Sequence, residues 1–79
     1  MANKIKQDIS IGKNLKKYRQ AIGLTQNEVA SRLQVIGLDV HQKIISEMEL
    51  GKYSIRVSVL LALAKLYHVQ VQDFFIDLE

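Results

Sequence analysis

The chain has 79 residues, enough for one domain with a thin hydrophobic core. Its hydrophobic fraction of 48% is typical of a globular protein, and the absence of cysteine excludes disulfide frameworks and thiolate metal sites. The absence of proline argues against a small all-β domain. The longest apolar runs, such as Val59–Ala64, are too short to span a bilayer, and the first ten residues lack the apolar stretch of a signal peptide. We therefore expect a small, mostly helical, cytoplasmic protein.

The charged residues are distributed unevenly along the chain, whose net charge is +3. Residues 1–20 hold six Lys and Arg residues against one Asp, whereas residues 66–79 hold three acidic residues and no basic one. This distribution predicts a molecule with a basic side that can attract a polyanion. An accidental asymmetry of a solvated surface is the alternative at this point.

The residues before Gly23 predict a first helix over Ser10–Ile22, and Gly23 suits the position that follows a helix. Its apolar residues recur at helical spacing and form one stripe: Ile11, Leu15, Tyr18 and Ile22.

A second helix is predicted to begin at Thr25, because Thr25 and Glu28 have the spacing of a capping box. In this motif each side chain bonds the backbone amide of the other residue. The helix is expected to continue to about Gln34 or Ile36 and to stop before Gly37.

A third helix is predicted at about Val40–Leu50, with Asp39 or His41 as its N-cap. Ile45 and Met48 fall on the side that packs inward. The opposite arc is largely polar and comprises Gln42, Lys43, Ser46, Glu47 and Leu50.

The last part of the chain predicts a buried helix at about Val57–Tyr67 and a short final helix at about Val71–Ile76. The predicted fold is therefore all-α, a five-helix bundle. We expect a flexible N-terminal arm at 1–9, one domain at 10–76 and a C-terminal tail at 77–79.

Two short helices joined by a turn, of which the second displays a polar arc, form a helix-turn-helix pattern at about residues 25–51. An α-helix fits the DNA major groove, where Gln can pair with adenine, Lys with guanine, and Glu can accept from cytosine. The preceding helix crosses the DNA backbone, and Gln26 in its first turn is suitably placed for a phosphate.

Three segments together resemble the phage repressor and Cro-like, or XRE-type, helix-turn-helix family. They cover nearly the whole chain and read IGKNLKKYRQAIGLTQNEVASRL (11–33), VHQKIISEMELGK (40–52) and LLALAKLYHVQVQDFF (60–75). The resemblance implies a repressor-like bundle that binds operator DNA, usually as a homodimer, to regulate transcription.

The resemblance also implies roles for individual residues. Those expected to face base edges are Gln42, Lys43 and Glu47, with Ile44 near a thymine methyl. Those expected to contact phosphates are Gln26, Lys52, Tyr53 and Arg56. Arg19 and Glu49 correspond to an ion pair that joins the first and third helices in these domains.

The sequence departs from the family in four places. The turn at residues 34–39 is longer than usual, Glu47 stands where a basic or neutral polar residue is frequent, and Arg56 replaces a Ser or Thr helix cap. His68 stands where glycine is usual.

Two other functions are alternatives to transcriptional regulation. An antitoxin of a toxin–antitoxin pair would bind a toxin partner as well as DNA. An enzyme is disfavoured, because Ser46 has no base within reach and the two His residues form no metal-ligand set. No cofactor, metal, membrane or small-molecule ligand is implied.

Overall fold

The segments with helical apolar spacing form helices in the structure, a computed structural model that describes residues 4–5, 9–52 and 54–77. The elements in chain order are β1 (Lys4–Ile5), α1 (Gly12–Ala21), α2 (Gln26–Val35), α3 (Gln42–Glu49), β2 (Ile55–Arg56) and α4 (Val57–Leu66). No helix within these described residues is long and apolar enough to cross a membrane.

One hydrophobic core lies where the apolar stripes of the four α-helices meet. Its largest side chains, all less than 2% exposed, include Phe74, Leu15, Leu33, Ile45, Leu60 and Leu63. Full burial of a side chain of this kind stabilises a fold by about 1.5–3 kcal/mol. The core therefore fixes α3 through its inward face and leaves its other face free.

The capping box predicted at the start of α2 is confirmed. The Glu28 amide donates to Thr25 Oγ1 at 3.1 Å, and the Thr25 amide donates to Glu28 Oε1 at 2.9 Å. These bonds satisfy two of the backbone donors that a helix start leaves unpaired. The hydrogen bond from the Thr25 amide is the main reason why the pKa of Glu28 is lowered.

The predicted fifth α-helix is wrong, because residues Val71–Phe75 form a 3₁₀ helix and the described residues contain four α-helices. An α-helix of five residues would have to order a full turn of backbone and would gain very few hydrogen bonds in return. A 3₁₀ helix, by contrast, commonly occurs in short pieces. Asn14 of α1 holds the end of this segment. Its Nδ2 donates to the carbonyl oxygens of Phe74 at 2.9 Å and Ile76 at 2.7 Å.

The fold is mostly helical and not all-α, because β1 and β2 pair as a two-stranded antiparallel ribbon that the sequence patterns did not predict. Lys4 lies opposite Arg56, and Ile5 lies opposite Ile55. β1 falls within the arm predicted at 1–9. Residues 1–3 and 6–8 lie outside the described residues, so the arm and the domain boundaries stay predictions.

The lengthened turn between α2 and α3 is held in place by hydrogen bonds. Gly37 has φ of 90°, a left-handed conformation that suits glycine, and the Leu38 amide donates to the Leu33 carbonyl at 2.9 Å. Gln34 Nε2 donates to the carbonyl oxygen of Val40 at 3.0 Å, and Val40 is buried. The extra residues therefore lead back onto the core and give α3 a defined starting point.

The position after α4 explains one departure from the family. His68 has φ of 60°, in the left-handed region that glycine adopts readily after a helix. This conformation costs a residue with a side chain about 1–2 kcal/mol. His68 thus adopts, with a side chain, a conformation that glycine adopts more readily.

Candidate nucleic-acid interface

α3 presents two faces that differ in exposure. Ile45 and Met48 are 1% and 2% exposed and pack on the core. Gln42 and Lys43, in the first turn, are exposed, whereas Glu47 is partly buried. The first turn is therefore the most exposed polar part of α3. An α-helix fits into the major groove, where exposed polar side chains can pair with the donors and acceptors of the base edges.

α3 begins after His41, one of the two predicted N-cap residues, but the His41 side chain makes no capping hydrogen bond. His41 Nε2 lies 3.1 Å from Asp39 Oδ1, and the two side chains are 70% and 87% exposed. A polar contact as exposed as this contributes little to stability. The His41 side chain therefore adds little to holding the start of α3.

Gln42 is oriented by a hydrogen bond to the preceding helix. Gln42 Nε2 donates to Gln26 Oε1 at 2.8 Å, and Gln26 Nε2 donates to Glu49 Oε1 at 3.0 Å. Gln26 thus connects the first turn of α3 with its last turn. This chain of amides leaves the Gln42 amide oxygen free of any hydrogen bond among the described residues.

The last turn of α3 is anchored to α1 by a buried ion pair. Arg19 Nε donates to Glu49 Oε2 at 2.6 Å and Arg19 Nη2 donates to Glu49 Oε1 at 2.9 Å, a bidentate geometry that suits guanidinium and carboxylate. The two side chains are 9% and 4% exposed. Arg19 Nη1 also donates to the Leu24 carbonyl at 2.9 Å. The hydrogen bond to Glu49 raises the pKa of Arg19, so the guanidinium stays charged.

Gly12 allows the close approach of α1 and α3 on which this anchor depends. A methyl group on Gly12 would overlap the backbone carbonyl groups of Glu49 and Met48. Gly12 is not among the residues for which the sequence predicted a role. A glycine within a predicted helix was the available signal, since it is less favourable there than alanine by about 0.5–1 kcal/mol and needs a packing reason.

Ile44 and Glu47 are less exposed than the other two residues expected to contact bases. Ile44 is partly buried against the core and lines a cleft beside α3. Glu47 forms no ion pair among the described residues, so its charge is not neutralised by Lys43. Their base contacts stay predictions.

The residues expected to contact phosphates surround α3 on two sides. Gln26 lies at the start of α2, beside an open cleft of about 610 Å³ that Gln42 also lines. Lys52 is exposed just after α3, and its amide donates to the Glu47 carbonyl at 2.9 Å. Arg56 is partly buried at the start of α4. Tyr53 lies outside the described residues.

The helix-turn-helix family matches residues 15–74, a span that includes all four α-helices except the first three residues of α1. No curated protein is significantly similar to the chain. The match extends over well more than half of the 79 residues and contains both helices of the motif, the turn between them and the Arg19–Glu49 anchor. The chain belongs to the XRE-type, Cro- and C1-like helix-turn-helix family, a family of DNA-binding domains.

Proposed function

We propose that the chain is a transcriptional regulator that binds double-stranded DNA sequence-specifically, in the manner of a Cro-like repressor. The observation that carries this proposal is the exposed first turn of α3, where Gln42 is oriented by Gln26. Base recognition requires side chains that point outward and are held in a fixed direction. Gln42 and Lys43 both point outward. The hydrogen bond to Gln26 also holds Gln42 in a fixed direction.

In this function, α3 enters the major groove with its N-terminal end deepest. Gln42 pairs with an adenine, Lys43 with a guanine and Glu47 with a cytosine amine, while Ile44 approaches a thymine methyl. The anchor at the other end of α3 keeps the helix from tilting as these contacts form. Local rigidity of this kind lowers the entropy lost on binding.

The phosphate contacts position α3 but carry no sequence information. The proposed set is Gln26, Lys52, Tyr53 and Arg56. Of these, Lys52 and Arg56 are cations, so a homodimer would neutralise about four phosphates. These two cations of each subunit should together contribute about −4 to the slope of the logarithm of the binding constant against the logarithm of salt concentration.

Selection of bound sites from random DNA duplexes tests the proposal. We expect one enriched motif with two half-sites about one helical turn, or roughly 10 base pairs, apart, because a symmetric dimer binds a symmetric site. Recovery of sequences no different from the starting pool would contradict sequence-specific binding. An antitoxin would also enrich such a motif, and it would differ in binding a second protein that still binds the Gln42→Ala variant.

A further inference from the structure

The ribbon formed by β1 and β2 places two cations side by side. Lys4 lies directly opposite Arg56 in the antiparallel register. Ile55, the neighbour of Arg56 in β2, is fully buried and faces the core. Because successive residues of a strand face opposite sides, Arg56 faces outward, and a directly paired residue shares its face. Lys4 and Arg56 therefore lie together on the outward face of the ribbon.

This face of the ribbon adjoins the helix proposed to enter the major groove. Lys4, Ser54 and Arg56 line one part of a cleft of about 230 Å³, and Ile44 of α3 lines another part of the same cleft. Ile44 is in the first half of α3, next to Lys43. A duplex that received α3 would bring its backbone past the mouth of this cleft.

The two cations have no acidic partner in the described part of the chain. The basic–acidic side-chain contacts found there join Arg19 to Glu49 and His41 to Asp39. Like charges directly opposite each other in a strand pair are destabilising. The ribbon thus brings two positive charges together at a small energetic cost, which a bound polyanion would relieve.

We propose that Lys4 and Arg56 form a joint phosphate-binding site, so that the N-terminal strand holds the DNA backbone beside α3. The proposal rests on the DNA-binding function proposed above and adds Lys4, a residue outside the span matched by the family. In this proposal, the β1–β2 ribbon is part of the DNA interface.

Titration of a mixed-sequence DNA duplex at several salt concentrations tests the site, because phosphate contacts do not require the specific sequence. Three variants are compared with the wild type. Lys4→Gln removes the charge, Lys4→Arg keeps it, and Lys65→Gln removes a lysine that lines a different cavity, between α2 and α4.

For Lys4→Gln we expect the slope of log affinity against log salt to become less steep by about 1 per bound subunit. The ratio of wild-type affinity to Lys4→Gln affinity should therefore be about 3.5-fold smaller per subunit at 200 mM salt than at 50 mM salt. Lys4→Arg and Lys65→Gln should keep the wild-type slope. A wild-type slope for Lys4→Gln would overturn the proposal.

The melting temperature of the DNA-free protein separates this role from a structural one. Removal of one of two facing cations should leave the melting temperature of Lys4→Gln unchanged or raise it. A lower melting temperature together with a wild-type slope would make Lys4 a residue of strand pairing only. A wild-type protein with no affinity for DNA would instead overturn the proposed function itself, so the two failures are distinguishable.

Discussion

The two ends of α3 are held in opposite ways. At the last turn, Glu49 is 4% exposed in its side chain and is bound by the Arg19 guanidinium, and Gly12 packs against its backbone. At the first turn, Gln42 and Lys43 are exposed, and His41 provides no side-chain cap. Gln26 is the one hydrogen-bonded link described between the two ends.

In the proposed function, this difference separates the residues that stabilise the fold from those that recognise DNA along a helix of eight residues. Substitutions at the last turn should change the free energy of unfolding, because they act on buried groups. Substitutions at the first turn should change DNA binding with little effect on folding.

Glu49→Ala should have the largest effect on stability. It leaves the guanidinium of Arg19 buried without its carboxylate, and loss of one partner of a buried pair costs about 3–5 kcal/mol. Urea denaturation monitored by circular dichroism measures the change. Lys43→Ala, at an exposed position in the same helix, is the control and should change stability by no more than about 0.5 kcal/mol. Equal stability of the two variants would show that the ion pair is not an anchor.

Gly12→Ala should destabilise the protein by about 1–3 kcal/mol, because the added methyl group must push α1 away from the Glu49 carbonyl. The neighbouring Lys13 is exposed, and Lys13→Ala serves as the matched control in the same denaturation experiment. Alanine is the better helix former, so an increase in stability for Gly12→Ala would mean that the close contact between the two helices does not exist.

The local elements were predictable and the long-range ones were not. The capping box of α2 is a pattern of residues three positions apart, and the stripe containing Ile11 and Leu15 lies within one helix. The 3₁₀ helix, by contrast, is held by Asn14, about 60 positions away from the carbonyls that it binds. Such contacts depend on the finished fold and leave no periodic signal in the sequence.

Some residues of the candidate interface could likewise be predicted from the sequence, and others could not. The polar arc with Gln42 and Lys43 follows from helical spacing alone, and the family resemblance supplied the correspondence of Arg19 with Glu49. The pairing of Lys4 with Arg56 joins two strands of two residues each, more than 50 positions apart. A strand this short has no recognisable alternation, so the ribbon could be found only in the structure.

The N-caps of α2 and α3 allow a direct comparison of the two helix starts. Thr25→Ala should lower stability by about 1 kcal/mol, because it removes the acceptor of the Glu28 amide. His41→Ala should change stability by no more than about 0.5 kcal/mol, since the His41 side chain caps nothing. Thermal denaturation of both variants measures the difference. A larger loss for His41→Ala would reverse the assignment of the two caps.

The smallest expected effect is a dependence of stability on pH through Glu28. The hydrogen bond from the Thr25 amide lowers the pKa of Glu28 below its usual value of 4.5 in the folded state. Its contribution is therefore fully present above about pH 4.5 and is lost as the pH falls through the folded-state pKa. Glu28→Gln keeps a capping-box side chain but does not titrate, so its melting temperature should fall less steeply with acid. Identical acid profiles for both proteins would exclude this contribution.

The measurement that tests the division of α3 most directly is the binding of the selected DNA site by Gln42→Ala, combined with its stability. We expect a loss of about 1–3 kcal/mol in binding free energy and a relaxed preference at one base pair in each half-site. The free energy of unfolding should change by no more than about 0.5 kcal/mol. Unchanged affinity and base preference would contradict the claim that the exposed first turn of α3 recognises DNA.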